Sequence, residues 1–168
     1  MIPTAVVFLM SALLFSGSAI AQAKAAPPGL VSERSLSASA AIELATASLA
    51  RCRADGYKVT ITVLNRHART AVVISDDGVN PHTLENSMRK AYTAFTTRSP
   101  SVETGARTQP GLAGFMQLEK ITTIEGGLPI FSGKELVGAV GVSGAPGGEK
   151  DSVCAQAGLD QIAKLLGN

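Results

Sequence analysis

The chain of 168 residues lacks Trp, and only 4% of its residues are aromatic. It has two Cys and two His, and 15 basic against 13 acidic residues leave a formal net charge of only +2. So few aromatic rings and so little charge argue against binding to nucleic acid or to an acidic lipid surface. The Cys and His residues are too scattered for a structural zinc site, which needs closely spaced pairs. Because 45% of the residues are hydrophobic, the sequence indicates a folded globular domain.

The N-terminal segment has the features of a removable leader. Residues 1–23 contain no Asp, Glu, Lys or Arg, and Ala5–Leu14 is an apolar run about half as long as a membrane-spanning helix needs. Ala21-Gln22-Ala23 offers an A-x-A cleavage site. The sequence predicts a signal peptide over 1–23, a flexible lead-in over 24–35 and a single domain over 36–168. We expect a periplasmic or secreted protein with no membrane span in its mature form, and a short uncleaved anchor is the alternative.

The remaining chain alternates between helical and strand patterns. The first helix should bury one apolar face, formed by Ile42, Ala45, Leu49 and Cys52. The second helix carries an apolar stripe at helical spacing, formed by Leu84, Met88, Ala91, Tyr92 and Phe95. In chain order we predict helix 37–55, strands 57–65 and 70–75, a helix ending near Thr97, strands 120–124, 128–131 and 135–143, and helix 149–166. Short turns between neighbouring strands indicate an α+β domain with an antiparallel sheet.

The two cysteines lie in the first and last helices. If the first strand pairs antiparallel with the last, Cys52 and Cys154 come to the same edge of the sheet and can form a disulfide. Two buried free thiols are the alternative at this point. Neither Cys has the neighbouring His or Lys expected beside a nucleophile, so both alternatives give the cysteines a structural role.

His82 is the residue that best suits a metal or haem ligand. It follows Pro81 at the start of the second helix, where a neutral imidazole can face a pocket formed by the preceding loop. A solvated or capping His is the alternative. Further along the same helix, Arg89 and Lys90 are candidates for pairing with the carboxylates of a ligand, although from the sequence alone a solvated surface charge is the better interpretation.

A glycine-rich loop joins the last strand to the last helix. Residues 141–148 include Ser143 and four Gly, and their backbone N–H groups could bind an anion at the helix start. A tight strand-to-helix connection is the favoured alternative. The loop is not a nucleophile elbow, because Ala145 stands where the last Gly of that motif belongs and no His follows the Ser.

Four motifs in a fixed order, spread from about Leu36 to Leu166, carry a family resemblance. They are Asp77-Gly78 ahead of Arg89-Lys90-Ala91-Tyr92-Thr93-Ala94, then Gly126-Gly127-Leu128-Pro129-Ile130, then Gly138–Gly144, and last Asp151 with Ala155, Ala157 and Gly158. This set resembles the GlcG/HbpS family of haem-binding and haem-degrading-type proteins. Asn65 and Ala68 depart from it, since the family usually has Asp and Gly in that hairpin.

The resemblance implies a profilin-like α+β fold, in which a five-stranded antiparallel sheet is flanked by helices. It places the first strand beside the last, which supports a Cys52–Cys154 disulfide. It also implies homo-oligomers, with haem as a ligand in some members. Gly126, Gly127 and Ser143, which lie in these motifs, are further candidates for contact with the cofactor.

We therefore expect an exported protein that binds haem or another planar or anionic ligand, in haem scavenging or redox sensing. His82 is the expected axial ligand of the iron, and Arg89 or Lys90 the expected propionate partner. An enzyme of haem degradation or small-metabolite catabolism is one alternative, although the sequence offers no paired carboxylates or Cys–His dyad for it. A small-ligand sensor module is the other.

Overall fold

The computed structural model describes residues 27–106 and 110–167. The chain divides after Ser32 into two units, and the second contains all the helices and strands of the described residues. The predicted signal peptide lies outside the described residues. None of the described helices is long and apolar enough to cross a membrane.

The second unit alternates helices with antiparallel strands. In chain order its elements are α1 (Ala38–Ala54), β1 (Thr60–Asn65), β2 (Thr70–Ser75), α2 (His82–Thr97), α3 (Ser101–Ala106), a 3₁₀ helix (Pro110–Gln117), β3 (Gly127–Ser132), β4 (Glu135–Ser143), α4 (Gly148–Ile162) and a second 3₁₀ helix (Ala163–Leu166). The strand order is β2-β1-β4-β3, and each neighbouring pair is antiparallel. The predicted α+β class with an antiparallel sheet is confirmed, and so is the pairing of the first strand with the last. The profilin-like description stays a prediction.

The prediction of five strands is wrong, because the sheet in the described residues has four. The segment 120–124, expected to be a strand, bonds instead to side chains of the helices that follow β2. The backbone N–H of Thr122 donates to Thr93 Oγ1 at 2.9 Å, and the carbonyl of Ile124 accepts from Ser101 Oγ at 2.7 Å. These side chains occupy backbone groups that a neighbouring strand would otherwise pair, so the segment does not join the sheet.

Helices α1 and α4 cover one face of the sheet and form the main core with Ile61 and Val63 of β1 and with Val59 just before it. The disulfide between Cys52 and Cys154 joins the two helices, with the Cα atoms 5.5 Å apart. This confirms the predicted pairing. It closes a loop of 102 residues and fixes the middle of α4 against the end of α1.

Of the four residues predicted for the buried face of α1, Ala45, Leu49 and Cys52 are buried and Ile42 is not. Ile42 is 53% exposed, whereas Leu44 and Ser48 are buried against α4. Gly158 of α4 permits this contact, since a Cβ there would lie 2.2 Å from Ser48 Oγ and 2.6 Å from the Leu44 carbonyl oxygen. The close approach of the two helices therefore decides which face of α1 is buried.

Helix α2 covers the opposite face of the sheet, and most of the side chains that it buries there are small or polar. Its Thr83 and Ser87 hydroxyls are hydrogen-bonded to Thr60 and Thr62 of β1, each at 2.8 Å. Strand β1 is thus buried on both faces, not half-buried as its alternation predicts. The predicted apolar stripe of α2 is largely turned away from the sheet, and Leu84 at its start is 53% exposed.

Glycine in β4 permits α2 to lie so close to the sheet. A Cβ on Gly141 would lie 2.1 Å from the carbonyl oxygen of Ser87 and 2.6 Å from the backbone nitrogen of Ala91. Any side chain at this position would push the helix outward, and the hydroxyl pairs would then separate. The start of α2 is therefore held at a fixed position beside the end of β4.

Candidate functional site

A cavity of about 610 Å³ lies where β4 ends and where α2 and α4 begin. Its wall comes from the lead-in to β1, the loop before α2, the first turn of α2 and the glycine-rich loop before α4. The wall consists of Gly56, Tyr57, Lys58, Gly78, Val79, Asn80, His82, Thr83, Asn86, Ile124, Ser143, Gly144, Ala145, Pro146, Gly147, Gly148 and Asp151. It contains His82 and Ser143, two of the predicted site residues, so we take this cavity as the candidate site.

His82 is the first residue of α2, and its side chain is exposed in the cavity wall. Pro81 precedes it as the N-cap and provides no side-chain hydrogen bond to the helix. Proline suits a helix start because its fixed φ is close to the helical value and it has no N–H to satisfy. The imidazole thus lies at the rim of the cavity, where a ligand can reach it.

One turn further along α2, Asn86 links the helix to the end of β4. Its side-chain amide donates to Ser143 Oγ at 2.9 Å, and Ser143 is only 2% exposed. The Ser hydroxyl accepts this bond and keeps its own proton available for donation. The pair therefore offers polar groups to a ligand inside the cavity.

The glycine-rich loop forms the far wall of the cavity. Gly144 and Gly147 have φ angles of +137° and +122°, which side-chain-bearing residues rarely adopt. A Cβ on Gly144 would also lie 2.4 Å from the carbonyl oxygen of Lys58. The loop is therefore a tight connection packed on the lead-in to β1, as the favoured interpretation expected. Its use as an anion site stays a prediction.

A buried ion pair lies beneath the cavity. Lys90 Nζ is 2.7 Å from Asp151 Oδ2 and also donates to the carbonyl oxygen of Val142 at 2.9 Å. Lys90 is 1% exposed and Asp151 3% exposed, so the solvated position expected for Lys90 is wrong. The other carboxylate oxygen of Asp151 accepts the backbone N–H of Ala145 at 3.0 Å. This carboxylate thus joins α2, β4, the glycine-rich loop and α4.

Burial dominates the electrostatics of this pair. Removal from water lowers the pKa of the Lys90 ammonium and raises the pKa of the Asp151 carboxyl, and the attraction between the two charges opposes both shifts. Each charge consequently depends on the other to remain ionised in the interior.

The glycines Gly126 and Gly127 make room for Lys90. A Cβ on Gly126 would lie 2.9 Å from Lys90 Nζ, and one on Gly127 would lie 2.2 Å from the Lys90 carbonyl oxygen. The lysine side chain can therefore reach from α2, on one face of the sheet, to Asp151 of α4 on the other. Contact of these two glycines with a ligand stays a prediction.

Arg89 points away from the cavity wall. Its guanidinium donates to the carbonyl oxygen of Ile121 at 3.0 Å and lies 3.6 Å from the carboxylate of Glu85. The structure thus brings His82 and Ser143 together, places Lys90 directly beneath them, and leaves Arg89 outside. The roles of Arg89 and Lys90 towards a ligand stay predictions.

Sequence reasoning missed Lys58 and Asn86 as cavity residues. The spacing of four between His82, Asn86 and Lys90 places all three on one face of α2, and that signal could have found Asn86. Lys58 carries no comparable signal, because only the fold brings the lead-in to β1 beside α2. Among the described residues, no group of three or more His, Cys, Asp or Glu could hold a metal ion.

Comparison with known proteins points to one family. The family described as haem-degrading protein HbpS-like matches residues 36–160. An uncharacterized 15.0 kDa protein from the dhaT–dhaS intergenic region of Citrobacter freundii is 31% identical over 130 residues, which cover 75% of this chain and 91% of that protein.

Similar solved structures include a member of the same family. A double mutant of HbpS from Streptomyces reticuli superposes with a TM-score of 0.76 and 29% identity, over 85% of this chain and 97% of that one. A complex of PduOC with haem has a TM-score of 0.71 and 25% identity, over 76% of this chain and 95% of that one.

Proposed function

Because the chain belongs to the HbpS-like family of haem-degrading proteins, we propose that it is an exported haem-binding protein in which His82 is the axial ligand of the iron. The observation that carries the proposal is the imidazole of His82 in the wall of a cavity of about 610 Å³. Ligand sites in proteins commonly enclose about 300–1,000 Å³, and imidazole is a usual haem ligand. The similarity to PduOC, whose structure was solved with haem, supports the same ligand here.

The wall of the cavity contains two side chains suited to contact with a porphyrin, Tyr57 and His82. Tyr57 is half-buried in the wall, and the ammonium of Lys150 lies 5.6 Å from the centre of its ring. An aromatic ring can pack on the face of a porphyrin, while His82 supplies the nitrogen for the iron. A bound haem would supply a redox-active iron with an exchangeable coordination position, which suits either scavenging or redox sensing.

Titration with haemin tests the proposal. Haemin added to the purified mature protein should give a saturable, stoichiometric shift of the Soret band. His82→Ala should abolish or displace that band, because the imidazole nitrogen is lost. His67→Ala is the matched control, since His67 lies in the β1–β2 hairpin and outside the cavity wall. An unchanged spectrum at equal affinity in His82→Ala would remove the ligand role, and no shift in the wild type would remove the function.

Export is supported by the leader and by the disulfide. Residues 1–23 have the composition of a signal peptide, and a Cys52–Cys154 bond is typical of an oxidising compartment. Mass spectrometry of the protein recovered from the periplasm or the medium should give an N-terminus at Lys24. An intact N-terminus in the membrane fraction would favour the uncleaved anchor instead.

Self-association is supported by the outward face of α2. Leu84 is 53% exposed, while Met88, Tyr92 and Phe95 are half-buried. Such apolar surface is commonly covered by a partner, and the family resemblance makes a second copy of this chain the expected one. Light scattering after size exclusion should show an oligomer that Leu84→Glu dissociates, whereas Ile42→Glu, on the exposed side of α1, should leave it intact. An unchanged mass in Leu84→Glu would exclude this face.

Haem degradation is the second candidate, and the family description favours it. The carboxylate in the cavity wall, Asp151, is already paired with Lys90, so we favour binding over turnover. Incubation of the haem complex with reductant and oxygen separates the two functions. A bilin product released over many turnovers would establish the enzyme, and a persistent Soret band would support the binding protein.

A further inference from the structure

The two cations expected to hold a carboxylate of the ligand are engaged elsewhere. Lys90 donates to Asp151 and to the Val142 carbonyl oxygen and is 1% exposed. Arg89 donates to the Ile121 carbonyl oxygen and does not contribute to the cavity wall. A carboxylate inside the cavity would therefore need another positive group.

Lys58 provides such a group. It lines the cavity, its side chain is exposed, and within the described chain it makes no hydrogen bond or ion pair. Its backbone is fixed, because Gly144 packs against its carbonyl oxygen and Val59, next in the chain, is fully buried. Its Nζ lies beside Gly78, a residue of the same cavity wall. The ammonium is thus available to a ligand while its Cα position is set by the fold.

Neither nearby acid cancels this charge. The carboxylate of Asp76, which interacts electrostatically with Lys58, is bonded to Arg53 and lies outside the cavity wall. Asp151 is neutralised by Lys90, and its second carboxylate oxygen is occupied by the N–H of Ala145. The Ser143 hydroxyl accepts from Asn86 and keeps its proton for donation to an anion. The cavity therefore combines an unpaired cation, a hydroxyl donor and a neutralised acid.

We propose that Lys58 binds a carboxylate group of the ligand and so selects ligands that carry an acid. The carboxylate has two sources, a porphyrin propionate or a small organic acid. In the first case the inference rests on the proposed haem binding and names the residue that orients the porphyrin.

Haemin and haemin dimethyl ester differ only in whether their carboxylates are free, so they isolate this contact. Both are titrated into the wild type and into Lys58→Met, Lys58→Arg and Lys134→Met, with succinate as a probe that lacks the ring, followed by calorimetry. Lys134 is the matched control because it is exposed in the β3–β4 turn, at the opposite end of β4 from the cavity. The wild type should bind haemin about fivefold more tightly than the ester, the size expected of a partly exposed ion pair.

Lys58→Met should abolish that preference without moving the Soret band, Lys58→Arg should restore it, and Lys134→Met should match the wild type. Succinate binding that requires Lys58, with equal affinity for haemin and ester, would support the carboxylate site and assign it to a small acid. If Lys58→Met keeps the preference for haemin, the inference is wrong while haem binding stands. If neither porphyrin binds but succinate does so through Lys58, the haem function is wrong and the carboxylate site stands; if no probe binds, both are wrong.

Discussion

Replacing Lys90 by Met tests whether the ion pair beneath the cavity holds α2 to α4. The substitution keeps most of the side-chain volume and removes the charge, so Asp151 stays in the interior with the backbone N–H groups of Ala145 and Gly144 as its remaining partners. Breaking a buried pair on one side typically costs about 3–5 kcal/mol of unfolding free energy, because a charge is left uncompensated. Asp151→Asn leaves the Lys90 ammonium unpaired and should cost a similar amount.

The double variant Lys90→Met/Asp151→Asn should recover much of this loss. Neither buried charge remains in it, and the Asn side chain can still accept from Ala145. A residual cost of about 1–2 kcal/mol is expected for an imperfectly bonded amide. The two single costs should then exceed the cost of the double variant by at least about 2 kcal/mol, a coupling expected only of side chains in direct contact.

Urea unfolding of the wild type, the two single variants and the double variant, each with the disulfide intact, measures these free energies. Lys134→Met serves as the control for loss of an exposed lysine.

The pH dependence of the unfolding free energy provides a second test. In Lys90→Met the folded-state pKa of Asp151 stays raised above its unfolded value by burial, so the stability contributed by the protonated acid is lost as pH rises through that pKa. The variant should therefore lose more stability at pH 7 than at pH 5. Single costs below about 1 kcal/mol, or costs that simply add in the double variant, would refute the reasoning.

Three further predictions concern the rest of the domain. Ala68 has φ +55° in the β1–β2 hairpin, so Ala68→Gly should relieve strain and raise the unfolding free energy by about 0.5–1 kcal/mol in urea, and a loss would contradict this. Hydrogen bonds from Arg53 lower the pKa of Asp76, so the ionised carboxyl stabilises the fold above its ordinary pKa of about 3.8, and this stability is lost as pH falls through the folded value. Arg53→Gln should therefore reduce the loss of unfolding free energy between neutral and acid pH, and an unchanged loss would argue against this role. Cys52→Ala with Cys154→Ala opens a loop of 102 residues and should cost about 4 kcal/mol, measured by thermal and urea unfolding against the oxidised wild type.

The sequence predicts the strands and helices best where periodicity and burial agree. Strands β1, β2 and β4 have β-branched runs between clear turns, and the sheet forms from them as expected. Residues 120–124 have a similar composition but bond to side chains of α2 and α3, and local composition does not reveal that competition. The same limit applies to α2, where the apolar stripe is the more exposed side because glycine in β4 admits a polar helix face at close range.

The candidate site is only partly predictable for a related reason. His82 was found because a helix start after a turn-rich loop is a local feature of the sequence. The burial of Lys90 was missed, since it depends on space left by Gly126 and Gly127 and on an acid 61 residues further along the chain. Lys58 carries no local signal, because the packing of the distant Gly144 on its carbonyl oxygen places it in the cavity wall.

The hydroxyl pairs between β1 and α2 also set the register between a strand and a helix. Thr60 and Thr62 are two residues apart on β1, a separation of about 6.8 Å, and Thr83 and Ser87 are four apart on α2, about 6.0 Å. The two spacings nearly coincide, so both pairs close at one axial position of the helix. A purely apolar contact would let α2 slide with little change in energy, whereas after a slip of one turn, about 5.4 Å, at most one hydroxyl pair could form. The position of His82 relative to the sheet is thus set by two bonds that contribute little net stability but can both form in this alignment only.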